Sequence, residues 1–215
     1  IVCRKPAGVP TQSARISTPD MASMLKNYLS GGYLAVIHRL DQPVEGLLVF
    51  AKTPGAAREL NRQLTSSGFG KYYRAIVSGI PEPSEGTLED YMVKDARSNT
   101  SRICTKNTPG AKAARLHYRV EKIFRDTSPV TSLVAIHLDT GRHHQIRVQM
   151  AHIGCPLVGD RKYGTAYPSP ADPGKNTPPV NGENTESLRL CAYRLEFRHP
   201  ANRKLMTFSL SENPW

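Results

Sequence analysis

The segment Leu138-Asp139-Thr140-Gly141-Arg142-His143-His144-Gln145-Ile146-Arg147-Val148-Gln149-Met150-Ala151-His152-Ile153-Gly154 changes its hydrophobic period partway along, and that change decides the fold class. Just upstream, Val134, Ile136 and Leu138 alternate with period two, as on a half-buried strand. Gly141 interrupts the run. From His144 onward Ile146, Met150 and Ile153 recur at four and three, which is helical, and Gly154 supplies the stop. Residues 114–124 form a second alternating run, antiparallel to 132–138 across a short connection. Strands that neighbour each other before a single helix describe α+β, not strict strand-helix alternation.

The flanking sequence extends the same reading. Residues 71–78 alternate, with Tyr73, Ala75 and Val77 on one face and Tyr72, Arg74 and Ile76 on the other. A helix is expected from Thr53 as cap and Pro54 as first residue, with Leu60 and Leu64 on one face. Another is expected from Thr18 as cap and Pro19, ended by Gly31-Gly32. Residues 1–3, 34–37 and 46–51 are short apolar runs of strand type, and 188–197 is a late strand. Residues 81–114 are polar and turn-rich, which predicts a hairpin excursion and not a core layer. Residues 167–187, with five prolines and two glycines, predict a flexible surface loop. The expected class is α+β, a mainly antiparallel mixed sheet with flanking helices, in a single domain spanning 1–215.

Composition narrows the function. The 215 residues are 39% hydrophobic and 22% charged, which suits a globular protein and excludes disordered and fibrous classes. Lys and Arg number 29 against 18 acidic residues, a formal charge of +11, so an anionic partner such as nucleic acid is favoured. Cys3, Cys104, Cys155 and Cys191 form no C-x-x-C pair, which argues against a zinc module or disulfide framework and for a reducing, cytoplasmic setting. No run approaches the ~18 apolar residues of a membrane span. The chain opens inside a strand at Ile1, so any targeting segment upstream lies beyond what the sequence displays.

Two clusters carry chemistry. In Ile37-His38-Arg39-Leu40-Asp41-Gln42-Pro43-Val44-Glu45-Gly46, Arg39 and Asp41 stand two apart on an extended segment and point to one side, between apolar anchors. Taken alone, such an R-x-D is an ordinary surface ion pair. In the second cluster Arg142, His143, His144 and Arg147 surround a strand-to-helix junction, where backbone N–H groups favour an anion such as phosphate. A metal fits poorly there. His143 and His144 are adjacent and expected to diverge, His144 and His152 are two turns apart, and no carboxylate sits at ligand spacing.

The motifs H-R-L-D followed by G-L-L-V-F-A-K, then K-x-Y-x-A-x-V at residues 71–77, then G-R-x-H-Q-I-R with A-H-I-G-x-P-L-V-G-D-x-x-Y-G at 141–164 resemble, in order, those of the RluA family of RNA pseudouridine synthases. K-P-A-G at 5–8 and L-x-F-x-H-P at 195–200 extend the resemblance over nearly the whole chain. It implies the pseudouridine synthase catalytic fold and conversion of uridine to pseudouridine in ribosomal or transfer RNA, by a monomer. It implies Asp41 as nucleophile, Arg147 as its charge partner, and Tyr73 as the residue stacked beneath the target base. Arg39 would fill the vacancy left by the flipped base, and Arg142 and His144 would contact phosphate or ribose. An isomerisation transfers nothing to water and needs no redox equivalent, so no cofactor or metal is implied. No S4-type RNA-binding domain is recognisable in this chain.

The sequence departs from the family at Val44-Glu45, where Thr-Ser is usual, at His143, where threonine is usual, and at Gln149 and Cys155, often histidine. Glu45 reads either as a solvated side chain or as a carboxylate locking a basic neighbour such as Lys52. Two other readings stand beside the enzyme: a catalytically silent RNA-binding module on the same fold, and a hydrolase with an aspartate nucleophile.

Overall fold

A computed structural model describes residues 1–14, 17–66, 68–164, 187–211 and 215. Its elements run β1 (Val2–Lys5), α1 (Met21–Tyr28), β2 (Ala35–Val36), β3 (Glu45–Ala51), α2 (Pro54–Thr65), β4 (Gly70–Ser78), β5 (Glu85–Asp95), β6 (Thr100–Cys104), β7 (Lys112–Phe124), β8 (Thr131–Leu138), α3 (Gln145–His152), β9 (Leu190–Arg198) and β10 (Leu205–Ser209). Strand pairing is antiparallel at β1–β3, β2–β3, β9–β10, β5–β6, β5–β7 and β7–β8, and parallel at β3–β9. The α+β expectation, mainly antiparallel with few helices, is what the chain adopts. The described residues divide into two compact units, Ile1–Tyr73 with Cys191–Trp215, and Arg74–Leu190. No helix among the described residues is long and apolar enough to cross a membrane.

In the first unit, β3 is the central strand, with Leu48, Val49, Phe50 and Ala51 almost wholly buried. Ile37, Leu47, Val49, Leu60, Phe69, Leu195 and Phe197 share one core, and Phe69 and Phe197 stack at 5.3 Å. Helix α2 begins as the sequence predicts: Thr53 Oγ1 accepts from the Ala56 N–H and Pro54 follows. Its buried Gln63 clasps β9, donating to the Arg198 carbonyl at 2.9 Å and accepting from the Arg198 N–H at 2.8 Å. Helix α1 starts later than predicted. Asp20, not Thr18, is the cap, and its carboxylate accepts from the N–H groups of Ser23 and Ser13. A charged acceptor serving two amides outcompetes a hydroxyl for that role.

Gly46 is required where β3 meets β9. It pairs in parallel register with Ala192, its φ is +129°, and a Cβ there would lie 2.4 Å from the Ala192 carbonyl oxygen. Strand β10, which carries Met206 and Phe208 against the core of this unit, was not anticipated from the sequence. Glu45 pairs with Arg4 across β1 and β3 at 2.8 Å, not with Lys52, while Val44 is buried. The replacements of the usual hydroxyl pair are therefore a core side chain and a cross-strand ion pair.

In the second unit the sheet order is β8-β7-β5-β6. Here the expectation for residues 81–114 is corrected. They do form a hairpin, but β5 lies between β6 and β7, and Met92 and Ala114 join Val148 and Ala151 of α3 and Tyr163 in a buried cluster. Their weak alternation hid this, because most neighbouring positions are polar. Helix α3 is buried all round, from Gln145 to Ala151. Its polar members are satisfied internally: the fully buried Gln149 accepts from Gln145 Nε2 and donates to Asp90 Oδ2 at 2.7 Å. Gly154, at φ +81°, ends the helix as expected. The predicted loop at 167–187 lies, apart from Ser187, outside the described residues.

Candidate active site

Asp41 heads a tight turn, its carbonyl accepting from the Val44 N–H at 3.0 Å. The alternation inferred from sequence holds: His38 and Leu40 are buried, Arg39 is exposed and Asp41 half-buried. The backbone around Asp41 is held on both sides. Thr11 Oγ1 accepts from the Leu40 N–H at 3.1 Å and donates to the Leu40 carbonyl at 3.0 Å. Lys5, fully buried, donates from Nζ to the carbonyls of Val9 (2.6 Å), Pro6 (2.9 Å) and Gln42 (3.0 Å). Three charge-assisted bonds to carbonyls satisfy an ammonium that water cannot reach. Burial nonetheless brings its pKa down to about 8, against the opposing pull of the Asp41 and Glu45 charges. Gly8 and Gln42 close the arrangement, exchanging bonds of 2.9 and 3.0 Å.

Tyr73 sits on the buried face of β4, as its alternation predicts. Burial pushes its phenol well above the usual tyrosine value, and the Asp41 carboxylate raises it further. Two consequences follow. Asp41 and Tyr73 are near enough to interact, and the phenol is protonated at neutral pH, so it offers a flat ring and an O–H donor, not a tyrosinate base. His38 is buried with its ring edge on Phe69 at 5.6 Å. Burial and the neighbouring Lys71 charge bring its pKa down to about 3, so it is neutral.

In the second unit Arg147 is gripped by Asp160. Its Nε donates to Oδ2 at 2.7 Å and its Nη2 to Oδ1 at 2.6 Å, both side chains almost inaccessible. This bidentate fork fixes the guanidinium plane. Asp160 also accepts from the N–H groups of Lys162 and Tyr163, and the Tyr163 ring lies 5.1 Å from the guanidinium carbon. Tyr163 is pinned in turn: its hydroxyl accepts from the Ser101 N–H at 2.9 Å and lies 2.7 Å from His144 Nδ1. His144 has a left-handed backbone at φ 55°, is buried, and is held neutral, its pKa brought down to about 3 by burial and by the Arg147 charge. His143 and His144 do not diverge. The left-handed turn stacks their rings at 3.7 Å, and His143 Nδ1 meets Ser101 Oγ at 2.8 Å. Arg142 is half-buried, its Nε donating to the Ala113 carbonyl at 2.7 Å.

The predicted residues thus form two groups: Arg39, Asp41 and Tyr73 in the first unit, and Arg142, His144 and Arg147 around the start of α3 in the second. Lys5, Thr11, Asp160 and Tyr163 were assigned no role from sequence. Three of them lie inside the quoted motifs K-P-A-G and G-D-x-x-Y-G, so the signal was present. Thr11 carries none.

Residues 1–152 match the family described as RNA pseudouridylate synthase. A Haemophilus influenzae protein named ribosomal large subunit pseudouridine synthase D is 35% identical over 179 residues, 80% of this chain and 50% of that protein. A Chloroflexus aurantiacus protein named as an RNA pseudouridine synthase is 37% identical over 161 residues, 74% of this chain and 46% of that one. In fold, the chain is similar to human RNA pseudouridylate synthase domain containing 4, with a TM-score of 0.73 at 23% identity over 99% of this chain and 85% of that one. The chain belongs to the RNA pseudouridylate synthase family, of the RluA type. It spans about half the length of the curated relatives it matches.

Proposed function

We propose that this chain is the catalytic domain of an RNA pseudouridine synthase that isomerises specific uridines in ribosomal or transfer RNA, acting as a monomer in the cytoplasm. The observation that carries the reading is the seating of Asp41: a turn stapled by buried Lys5 and Thr11, with its carboxylate felt by buried Tyr73. A nucleophile needs this kind of fixed backbone, because positional freedom would have to be lost at each turnover.

In this mechanism the target uridine leaves the RNA stack and Arg39, exposed beside Asp41, occupies its place. The Asp41 carboxylate attacks either a sugar carbon or an electron-poor ring carbon, and the bond between N1 and C1′ breaks. N1 keeps the electron pair of the broken bond, the uracil turns, and C5 bonds to C1′ as the bond to the Asp41 oxygen breaks; the proton lost from C5 is matched by one taken up at N1, so the product is an isomer of the substrate. Tyr73 lies against the base with its phenol protonated. Arg147, whose guanidinium Asp160 orients, is the charge partner that the family resemblance gives to Asp41. Arg142 contributes charge to the RNA backbone, and neutral His144 contributes a ring hydrogen bond, not a cation. The reaction calls for no cofactor.

Structured RNA tritiated at uridine C5 tests the reading. Tritium release that disappears in Asp41→Ala is the expected result. Retained RNA binding with no release from any cellular RNA pool would replace it with a silent binding module, and free uracil among the products would replace it with a hydrolase.

A further inference from the structure

The second unit carries a polar row that neither its core nor the proposed reaction uses. The registers of β5, β7 and β8 set Thr87 opposite His117 and His117 opposite His137. Asp139, two residues beyond His137 at the end of β8, falls on the same face. His117 Nε2 lies 3.0 Å from Asp139 Oδ2, and His137 Nδ1 lies 3.7 Å from Asp139 Oδ1. All three candidate donor atoms fall within 4.8 Å of one another, and the two imidazoles are nearly parallel, 16° apart with centroids at 6.0 Å. The other nitrogen of His117, Nδ1, meets the Thr87 hydroxyl at 2.8 Å.

We propose that His117, His137 and Asp139 form a site for a divalent transition-metal ion of the zinc class, open to solvent on its remaining positions. Two imidazoles and one carboxylate suit such an ion, whereas magnesium and calcium prefer oxygen donors throughout. Metal–ligand bonds of about 2.0–2.2 Å bring tetrahedral ligands to roughly 3.3 Å apart, so modest side-chain rotation closes the set. Strand pairing supplies the preorganisation: the two histidines face each other because β7 and β8 are hydrogen-bonded in that register, without a flexible loop having to close. His117 also has the outer partner that ligating histidines use. When its Nε2 lone pair turns to the metal, the ring proton resides on Nδ1 and donates to Thr87 Oγ1, a tautomer change that needs no net proton.

Arg115 opposes the site. Its Nε lies 3.2 Å from Asp139 Oδ2, but it also lies 3.1 Å from Glu89 Oε1, so Glu89 retains the guanidinium when Asp139 turns to a metal. A bound ion would tie β7 to β8 immediately before residues 140–144, the segment that leads into α3 and Arg147. This inference stands on the sheet geometry and is independent of the proposed reaction. Sequence spacing does not reveal it, because His117 and His137 stand on separate strands and meet only through the β7–β8 register.

The test is titration of the full chain, stripped of metal with a chelator, with Zn²⁺ by calorimetry, alongside thermal melting with Zn²⁺ and with Mg²⁺. The expected result is one saturable Zn²⁺ equivalent and a raised melting temperature that Mg²⁺ does not reproduce. His117→Asn and His137→Asn should each weaken binding at least ~10-fold, and Thr87→Val about 10-fold. Arg115→Gln should tighten it, a gain that damaged folding cannot imitate. Absence of saturable Zn²⁺ binding overturns the proposal. So does binding unchanged in both histidine variants, which would assign the ion to other groups.

Discussion

Replacing Asp160 with asparagine tests the architecture that presents Arg147. The substitution keeps the side-chain shape but removes the negative charge and converts one acceptor oxygen into a donor. Arg147 then loses one arm of its fork outright, donor facing donor, and its charge remains in a site where its side chain is 5% and that of Asp160 0% exposed. Removing one partner of a buried ion pair costs about 3–5 kcal/mol. For a chain of this length that corresponds to a melting-temperature fall of roughly 6–20 °C, at about 2–4 °C per kcal/mol. Urea unfolding should show the same loss as a lower midpoint with an unchanged slope. Arg147→Met should also destabilise, by leaving Asp160 unpaired, but the double variant Arg147→Met with Asp160→Asn should lose less than the two single losses added, because no uncompensated charge is then buried. A loss below about 1 kcal/mol in Asp160→Asn would refute the reasoning. So would strict additivity in the cycle. On the proposed function, Asp160→Asn should lower turnover in tritium release more than it lowers RNA affinity, because Asp160 orients Arg147, the charge partner proposed for Asp41.

Two further outcomes are expected. Gly46→Ala places a Cβ against backbone atoms of Ala192 that cannot rotate away, at a positive φ. Overpacking and backbone strain each cost about 1–3 kcal/mol, so urea unfolding should show a loss of at least ~2 kcal/mol, and a change within about 0.5 kcal/mol would contradict the β3–β9 register. Acid stability follows from His38 and His144, both neutral in the folded state with pKa values brought down to about 3. The unfolded chain binds protons at these groups below about pH 6.5 and the folded chain does not, so stability is complete above that value and falls as the pH drops towards 3. Each histidine contributes a slope of up to about 1.4 kcal/mol per pH unit. Unfolding free energies at pH 7 and pH 5.5 should therefore differ, and His144→Gln should flatten the difference; equal stability at the two pH values would show that the rings protonate in place.

The elements that could be read from sequence are those whose cause is local. Thr53-Pro54 starts α2 because capping involves residues three apart, and Tyr73, Ala75 and Val77 share a buried face because strand geometry alternates. The ordered motifs were equally legible, since Asp41, Tyr73 and Arg147 keep their place within short conserved-type spacings whatever surrounds them. Where several local solutions competed, as between Thr18 and Asp20 for the α1 cap, the fold chose the acceptor that could also serve Ser13.

Other features depend on residues brought together from distant parts of the chain, and only the tertiary structure decided them. Lys5 holds the backbone beside Asp41 because Val9 and Gln42, the latter 37 positions away, converge their carbonyls on its ammonium. Asp160 orients Arg147 from beyond the end of α3, and Glu45 chose Arg4 over Lys52 because β1 and β3 are antiparallel neighbours. His117 and His137 face each other through the register of two strands. The sequence by itself determined the fold class and the family, and marked the residues proposed to carry the chemistry, because these follow from periodicity and short motifs. The tertiary structure determined which groups hold those residues, and whether each is charged, because burial and strand register are properties of the folded chain and not of any short stretch of it.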